Sequence, residues 1–228
     1  MDVIRKLRWH VRRELQARGV VVKRVKCGHA GTLDPLATGV LVCGLGRATK
    51  QLSGPEAAVK HYTADVALDA FTTTDDAEGE LLKVDVARPP VFQSIEAALA
   101  RLTGEIDQRV PAYSAVHIDG RRAYQLARAG VEVDMPVKRV RVDAMTITAY
   151  DWPRLTLQVI CGKGVYVRAL ARDLGGLLGT GGHLTALRRT RVGRFTLEGA
   201  LTFDSNGDPW TPRGSVLQAL EPLDPSTC

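Results

Sequence analysis

The chain has 228 residues and a mass of 24.7 kDa, and 45% of its residues are hydrophobic, which excludes a disordered or fibrous chain. Its formal net charge of +6 and pI near 9.3 fit an anionic partner such as nucleic acid, although a basic protein without such a partner fits the charge equally well. The longest apolar stretches are short and interrupted by Gly, Lys or Arg, so no membrane span is expected.

The hydrophobic pattern predicts the elements in chain order. A helix is expected over 3–17, where apolar residues recur at helical spacing, and Gly19 would end it. A short strand is expected at 40–45, and a half-buried strand at 61–68, where Tyr62, Ala64, Val66 and Leu68 share one face. Further elements are strands near 80–86, 140–149 and 154–161 and helices near 93–103 and 165–178.

The predicted strands and helices are interspersed without a regular βαβ repeat. Within the strands, polar and apolar residues alternate. These patterns favour an α+β fold with a mixed, mostly antiparallel sheet flanked by helices. After Phe203 the composition shifts to turn-forming residues, which predicts that the folded unit covers 1–203 and that 204–228 is a linker or tail.

The four cysteines are widely spread and form neither a CxxC pair nor a Cys/His cluster at zinc spacing. This pattern predicts reduced cysteines in a cytoplasmic protein without a structural metal. Three basic patches, 5–26, 138–141 and 188–194, could contact RNA phosphates, but each could equally be a solvated face.

The loop at 28–39 is bounded by glycines and contains Asp34 followed by Pro35. Because a proline disfavours the helical conformation of the residue before it, Asp34 is expected on an extended or turn backbone. A carboxylate held there could be a nucleophile or base, or it could only cap a turn. No GxGxxG or Walker-type motif supports a nucleotide cofactor.

Residues 28–50 read GHAGTLDPLATGVLVCGLGRATK and resemble the signature motif of the TruB family of tRNA pseudouridine synthases. Further segments match in order and extend the resemblance over most of 1–203: KHYTADVAL, TTTDDAEGE, VPAYSAVHIDGRRAYQLARAG, CGKGVYVRALARDLG and GGHLTALRRTRVGRF. The resemblance implies a pseudouridine synthase-like fold and an isomerase that converts a flipped uridine of tRNA, at position 55 of the TΨC loop, to pseudouridine.

The resemblance also implies the site residues. Asp34 corresponds to the family's nucleophile, and Tyr62 and Arg168 correspond to its active-site tyrosine and arginine. The implied substrate contacts are His29, Tyr62, Tyr166 and Leu187. The family uses no metal and no organic cofactor, and we expect a monomer whose partner is the TΨC stem-loop of tRNA.

The chain departs from the family pattern in several places. It begins beyond the family's first strand with its KPxGxTS-like motif, it has His117 where a lysine is common, and its tail is too short for a C-terminal RNA-binding domain. Two other functions therefore stay open. One is a guide-RNA-dependent pseudouridine synthase subunit, and the other is an RNA-binding or RNA-chaperone protein with an impaired catalytic site.

Overall fold

The computed structural model describes residues 2–204 and 211–212. The helices are α1 (Asp2–Ala17), α2 (Ser53–Ala57), α3 (Phe92–Arg101), α4 (Ala123–Arg128) and α5 (Val167–Leu178), with a 3-10 helix at Gly46–Gln51. The strands are β1 (Cys27–His29), β2 (Ala37–Gly39), β3 (Cys43–Leu45), β4 (Lys60–Ala67), β5 (Ala70–Thr72), β6 (Leu81–Lys83), β7 (Gly104–Arg109), β8 (His117–Ile118), β9 (Arg121–Arg122), β10 (Val137–Asp151), β11 (Arg154–Cys161), β12 (His183–Val192), β13 (Phe195–Thr196), β14 (Phe203–Asp204) and β15 (Thr211–Pro212).

The chain divides into two compact units. The first contains Met1–Leu33, Gly39–Ala58 and the described residues from Arg191 onward, and the second contains Asp34–Thr38 and Val59–Thr190. Most of the predicted tail at 204–228 lies outside the described residues, and of it the structure describes only Asp204 in β14 and its partner strand β15. Among the helices in this described part, none is long and apolar enough to span a membrane.

In the first unit, α1 packs its apolar stripe against β1. Ile4, Leu7 and Val11 are buried together with Cys27, which confirms the predicted amphipathic helix. The strand expected at 40–45 is shorter, because only β3 pairs with β1 in antiparallel register. Val40 and Val42 instead pack into a second cluster, so the apolar run there reflects burial more than strand pairing.

The second unit is built on a sheet in the order β12, β4, β11, β10, β7, in which β11 pairs antiparallel with both β4 and β10, and β10 with β7. The predicted face of β4 is confirmed, since Tyr62, Ala64, Val66 and Leu68 are all buried. Helices α3 and α5 contribute their apolar residues to the same core. The predicted α+β fold with a mostly antiparallel sheet is therefore confirmed.

A close backbone approach links α5 to β12. The helix ends at Gly179, whose φ of 68° is the left-handed conformation that glycine adopts most readily. The chain then turns back, so that a Cβ at Gly175 would overlap the backbone of Gly181, and one at Gly182 would overlap Ala171. These glycines therefore let the chain enter β12 directly beside α5.

Candidate active site

Asp34 begins a tight turn. Its carbonyl oxygen accepts a hydrogen bond from the Ala37 amide at 2.9 Å, with Pro35 at the second turn position, where proline is favoured. The backbone therefore closes the turn without the side chain. The Asp34 carboxylate, 30% exposed, contacts Arg168 instead. The alternative that this carboxylate only caps a turn is therefore wrong.

Arg168 holds that carboxylate with a bidentate contact. Its Nε donates to Asp34 Oδ2 at 2.9 Å and its Nη2 donates to Asp34 Oδ1 at 3.0 Å. Arg168 is the second residue of α5, and its side chain is only 5% exposed. Parallel N–H···O bonds of this kind are stronger and more specific in direction than single charged contacts.

Further acceptors fix the same guanidinium from behind. Its Nη1 donates to the carbonyl of Thr74 at 3.0 Å, and its Nη2 donates to the carbonyl of Tyr113 at 3.2 Å. Asp76, with a side chain 2% exposed, places Oδ2 at 3.4 Å from Nη1. With each nitrogen engaged, Arg168 cannot rotate away from Asp34 without leaving buried groups unpaired.

Asp76 was not identified from the sequence as a site residue. Its Oδ1 accepts hydrogen bonds from Thr74 Oγ1 at 2.5 Å and from the Glu78 amide at 3.0 Å. A signal was present in the TTTDDAEGE segment, which places four acidic residues among threonine, alanine and glycine. Nothing in the pattern showed which of the four would be buried beside the arginine.

Tyr62 lies on β4 and is 9% exposed. Burial is the main cause that raises the pKa of Tyr62, and the charge of Asp34 contributes to the increase, which puts the phenol within electrostatic range of that carboxylate. The Arg189 guanidinium hydrogen-bonds to the phenol and opposes the shift. Tyr62 therefore stays protonated at neutral pH and can donate a hydrogen bond.

Arg189 corrects one interpretation of the sequence. It belongs to the basic run at 188–194, which could contact phosphates, yet it is 1% exposed and cannot reach a phosphate on the surface. The Arg189 side chain lies inside the protein, where it forms a hydrogen bond with Tyr62. Arg188, Arg191 and Arg194 from the same run are exposed.

Tyr166 is the residue that precedes α5, so the helix begins two residues later than the predicted start at 165. The side chain of Gln108, 1% exposed, clamps its backbone: the Tyr166 amide donates to Oε1 at 2.8 Å, and Nε2 donates to the Tyr166 carbonyl at 3.1 Å. Burial raises the pKa of Tyr166, the Ser114 hydroxyl opposes this, and Asp34 again adds to the increase. Two phenols therefore lie within electrostatic range of Asp34.

The remaining predicted contacts differ in their surroundings. Leu187 on β12 is 6% exposed and packs in the same core cluster as Tyr62. His29 lies on β1 opposite Cys43, in the first unit. Its contact with a substrate stays a prediction.

A second ion cluster borders the turn that contains Asp76. Asp75 has a φ of 62°, and its Oδ2 accepts a hydrogen bond from Arg172 Nη1 at 2.9 Å. Arg172 also bonds to Asp173 and to the carbonyl of Arg109. Burial raises the pKa of both Asp75 and Asp173, and Arg172 opposes both shifts.

The arrangement presents one partly exposed carboxylate beside a fixed positive charge and two neutral phenols. Such a carboxylate can stabilise or trap a cationic sugar centre, as carboxylates do in glycosidases. Within residues 2–204 and 211–212, no group of three or more His, Cys, Asp or Glu side chains could hold a metal ion.

Solved structures share this fold. The chain is similar to a chain of a Cbf5-Nop10-Gar1 complex, with a TM-score of 0.55 and 30% identity over 75% of this chain and 41% of that chain. It is also similar to a chain of an H/ACA RNP bound to a substrate RNA containing 2'-deoxyuridine, with a TM-score of 0.55 and 26% identity over 78% of this chain and 42% of that chain.

The sequence assigns the family. The N-terminal domain model of the TruB family pseudouridylate synthases matches residues 18–167, and the tRNA pseudouridylate synthase B C-terminal domain model matches residues 168–220. This chain belongs to the TruB family of pseudouridylate synthases.

Curated relatives agree with that assignment. The tRNA pseudouridine synthase B of Mycobacterium avium (strain 104) is 51% identical over 183 residues, which cover 78% of this chain and 59% of the relative. That of Mycobacterium leprae (strain TN) is 48% identical over 195 residues, which cover 80% of this chain and 61% of the relative. The chain thus spans about three fifths of the length of these relatives.

Proposed function

We propose that this chain is a tRNA pseudouridine synthase in which Asp34 is the nucleophile. One observation carries the proposal. The Asp34 carboxylate accepts hydrogen bonds from Nε and Nη2 of the buried Arg168, while the carboxylate itself stays partly exposed. Two parallel N–H···O bonds from one guanidinium fix the position and orientation of that carboxylate, which a nucleophile requires. The relatives named tRNA pseudouridine synthase B, at 48–51% identity, support the same activity.

The reaction exchanges one bond to the ribose for another. The bond between N1 of uracil and C1′ of the ribose breaks, the base turns, and a bond forms between C5 and C1′. The proton on C5 is lost, and N1 gains a proton, so atoms and charge balance without an oxidant or a co-substrate. Asp34 would stabilise or trap the electron-poor C1′ while the base is detached.

The two phenols and Leu187 would hold the flipped base. A uridine must leave its stack to be reached, and aromatic rings can hold it by stacking. The Tyr62 hydroxyl, kept protonated by burial, would assist the proton transfer at C5 or N1. His29 would contact the displaced RNA loop.

The substrate would be the TΨC stem-loop of tRNA, bound by a monomer in the cytoplasm without a metal or an organic cofactor. The net charge of +6 supports an RNA substrate. The similarity to Cbf5 supports a second candidate, a synthase that needs a guide RNA, but that identity is 30% against 48–51% for the relatives named tRNA pseudouridine synthase B.

A transcript of tRNA that carries tritium at C5 of uridine tests the proposal, since each isomerisation releases that tritium to water. We expect the protein to release tritium from this transcript in the presence of EDTA, without a guide RNA or a partner protein. We expect no release of tritium when the uridine at position 55 of the TΨC loop is replaced by cytidine. Release only after a guide RNA and partner proteins are added would favour the second candidate. Tight binding without any release would favour an RNA-binding protein.

A further inference from the structure

A groove in the first unit is rich in positive charge. It has a cavity volume of about 310 Å³, near the lower end of the roughly 300–1,000 Å³ that is usual for ligand sites. Its lining combines one aromatic side chain with five basic ones from α1 and the segment after it: Trp9, Arg5, Arg8, Arg12, Lys23 and Arg24. Of the described residues that line the groove, none is acidic.

The positions of these residues on α1 gather positive charge on one side of the helix. Arg5, Arg8, Trp9 and Arg12 are spaced i, i+3, i+4 and i+7, which puts them on one face. Like charges at these spacings repel, and cations stabilise a helix mainly in its last turn, where α1 has no basic residue. An anion in the groove would offset this repulsion.

The aromatic side chain distinguishes between possible anions. Trp9 is 48% exposed, and the guanidinium of Arg13 lies 4.6 Å from the centre of its ring. Bases of unpaired RNA stack on aromatic rings and on arginine planes, and a basic groove with an aromatic platform is typical of single-strand binding. A membrane surface fits less well, because the apolar stripe of α1 is buried against Cys27.

We propose that this groove binds the phosphate backbone of an RNA strand and stacks one of its bases on the Trp9–Arg13 platform. The inference rests on the proposed function in one respect, since it takes the RNA of that reaction as the ligand. Arg8 is already fixed by a 2.9 Å hydrogen bond to the Cys27 carbonyl, so one donor group is held in place before the ligand arrives. Arg12, Lys23 and Arg24 are exposed on the rim.

The test is a salt series of tRNA binding, measured by fluorescence anisotropy. The double variant Arg12→Gln/Arg24→Gln removes two groove charges, and the control Lys83→Gln/Arg88→Gln removes two exposed charges of the second unit. Each phosphate contact to a single strand contributes a slope of about −0.7 in log K against log salt. We expect the groove variant to lose about 1.4 of that slope and roughly 25-fold in affinity at 0.1 M salt.

Trp9→Leu separates stacking from charge. We expect it to weaken binding roughly 5- to 150-fold, the range for one stacked base, without a change in the salt slope. The proposal is overturned if the groove variant binds like the charge-matched control, or if Trp9→Leu binds like the parent chain. It is also overturned if polyglutamate displaces the tRNA as well as an oligouridylate of equal charge does.

The outcome is separable from that of the proposed function. If the parent chain isomerises tRNA but the groove variant binds like its control, the groove proposal fails and the enzyme assignment stands. If the groove variant shows the expected losses while the parent chain releases no tritium, the groove stands and the enzyme assignment fails.

Discussion

Replacing Arg168 by methionine removes the charge on which the site depends. The methionine side chain has a similar length, but it leaves two carboxylates, those of Asp34 and the buried Asp76, without their arginine partner. It also removes the hydrogen-bond donors to the carbonyls of Thr74 and Tyr113. Removal of one partner of a buried ion pair costs about 3–5 kcal/mol. For a chain of this size, each kcal/mol shifts Tm by about 2–4 °C, so we expect a fall of roughly 6–20 °C.

The control is Arg139→Met, which makes the same exchange in an exposed pair. Arg139 and Asp107 are 3.4 Å apart with side chains 62% and 63% exposed, and such pairs contribute about 0–1 kcal/mol. Thermal unfolding followed by circular dichroism measures both variants.

Arg168→Met should also abolish isomerisation with little change in RNA affinity, because a side chain that is 5% exposed cannot contact a phosphate. Arg168→Lys keeps the charge but not the bidentate geometry. It should therefore have a higher Tm than the methionine variant, and its rate of isomerisation should still be low. A Tm for Arg168→Met within a few degrees of that for Arg139→Met would refute the reasoning. So would a weaker RNA affinity with a flatter salt dependence, which would indicate a phosphate contact.

Three further predictions test other parts of the structure. Tyr62→Phe keeps the ring but not the hydroxyl, so single-turnover rates should fall by about 10²-fold or more while RNA affinity holds; equal rates would exclude proton transfer by that group. Because burial raises the pKa of Asp75 in the folded state, its neutral form stabilises the protein at low pH, and that stability is lost as pH rises through the folded pKa. Asp75→Asn should therefore be more destabilising relative to the parent chain at pH 4 than at pH 7, and unfolding curves at both pH values would contradict this if the difference were constant. Gly175→Ala should destabilise by about 1–3 kcal/mol through backbone overlap, whereas Gly176→Ala in the same helix faces open space and should stabilise by up to about 1 kcal/mol, so similar Tm values for the two would be evidence against the close approach.

Much of the second unit could be predicted from periodicity. Strand β11 has the predicted bounds, and the alternating burial along β4 follows from its pattern, because one face of a strand must cover the core. Other elements carry no such pattern. β7 was not predicted, because GEIDQR has few apolar residues, and β12 was not predicted, because its basic residues hide a strand that includes the buried Leu187 and Arg189.

The site was predictable in part and for a definite reason. The turn at Asp34 follows from Asp-Pro, and the motif resemblance indicated Arg168 as its partner. The supporting groups lie far away in the sequence and make their contacts through backbone carbonyls or through buried polar side chains such as Asp76 and Gln108. Local spacing has no signal for contacts of that kind, because they depend on how the strands and helices pack.

The most direct test of the central claim compares the parent chain with Asp34→Asn in the tritium-release assay, with tRNA affinity measured on the same preparations. The substitution keeps the side-chain volume and removes the charge, and Asp76 remains to balance Arg168, so the fold should persist. The account predicts release by the parent chain, no release by Asp34→Asn, and tRNA affinities that agree within about threefold, a difference of less than 1 kcal/mol. Release by Asp34→Asn at a rate near that of the parent chain would contradict it.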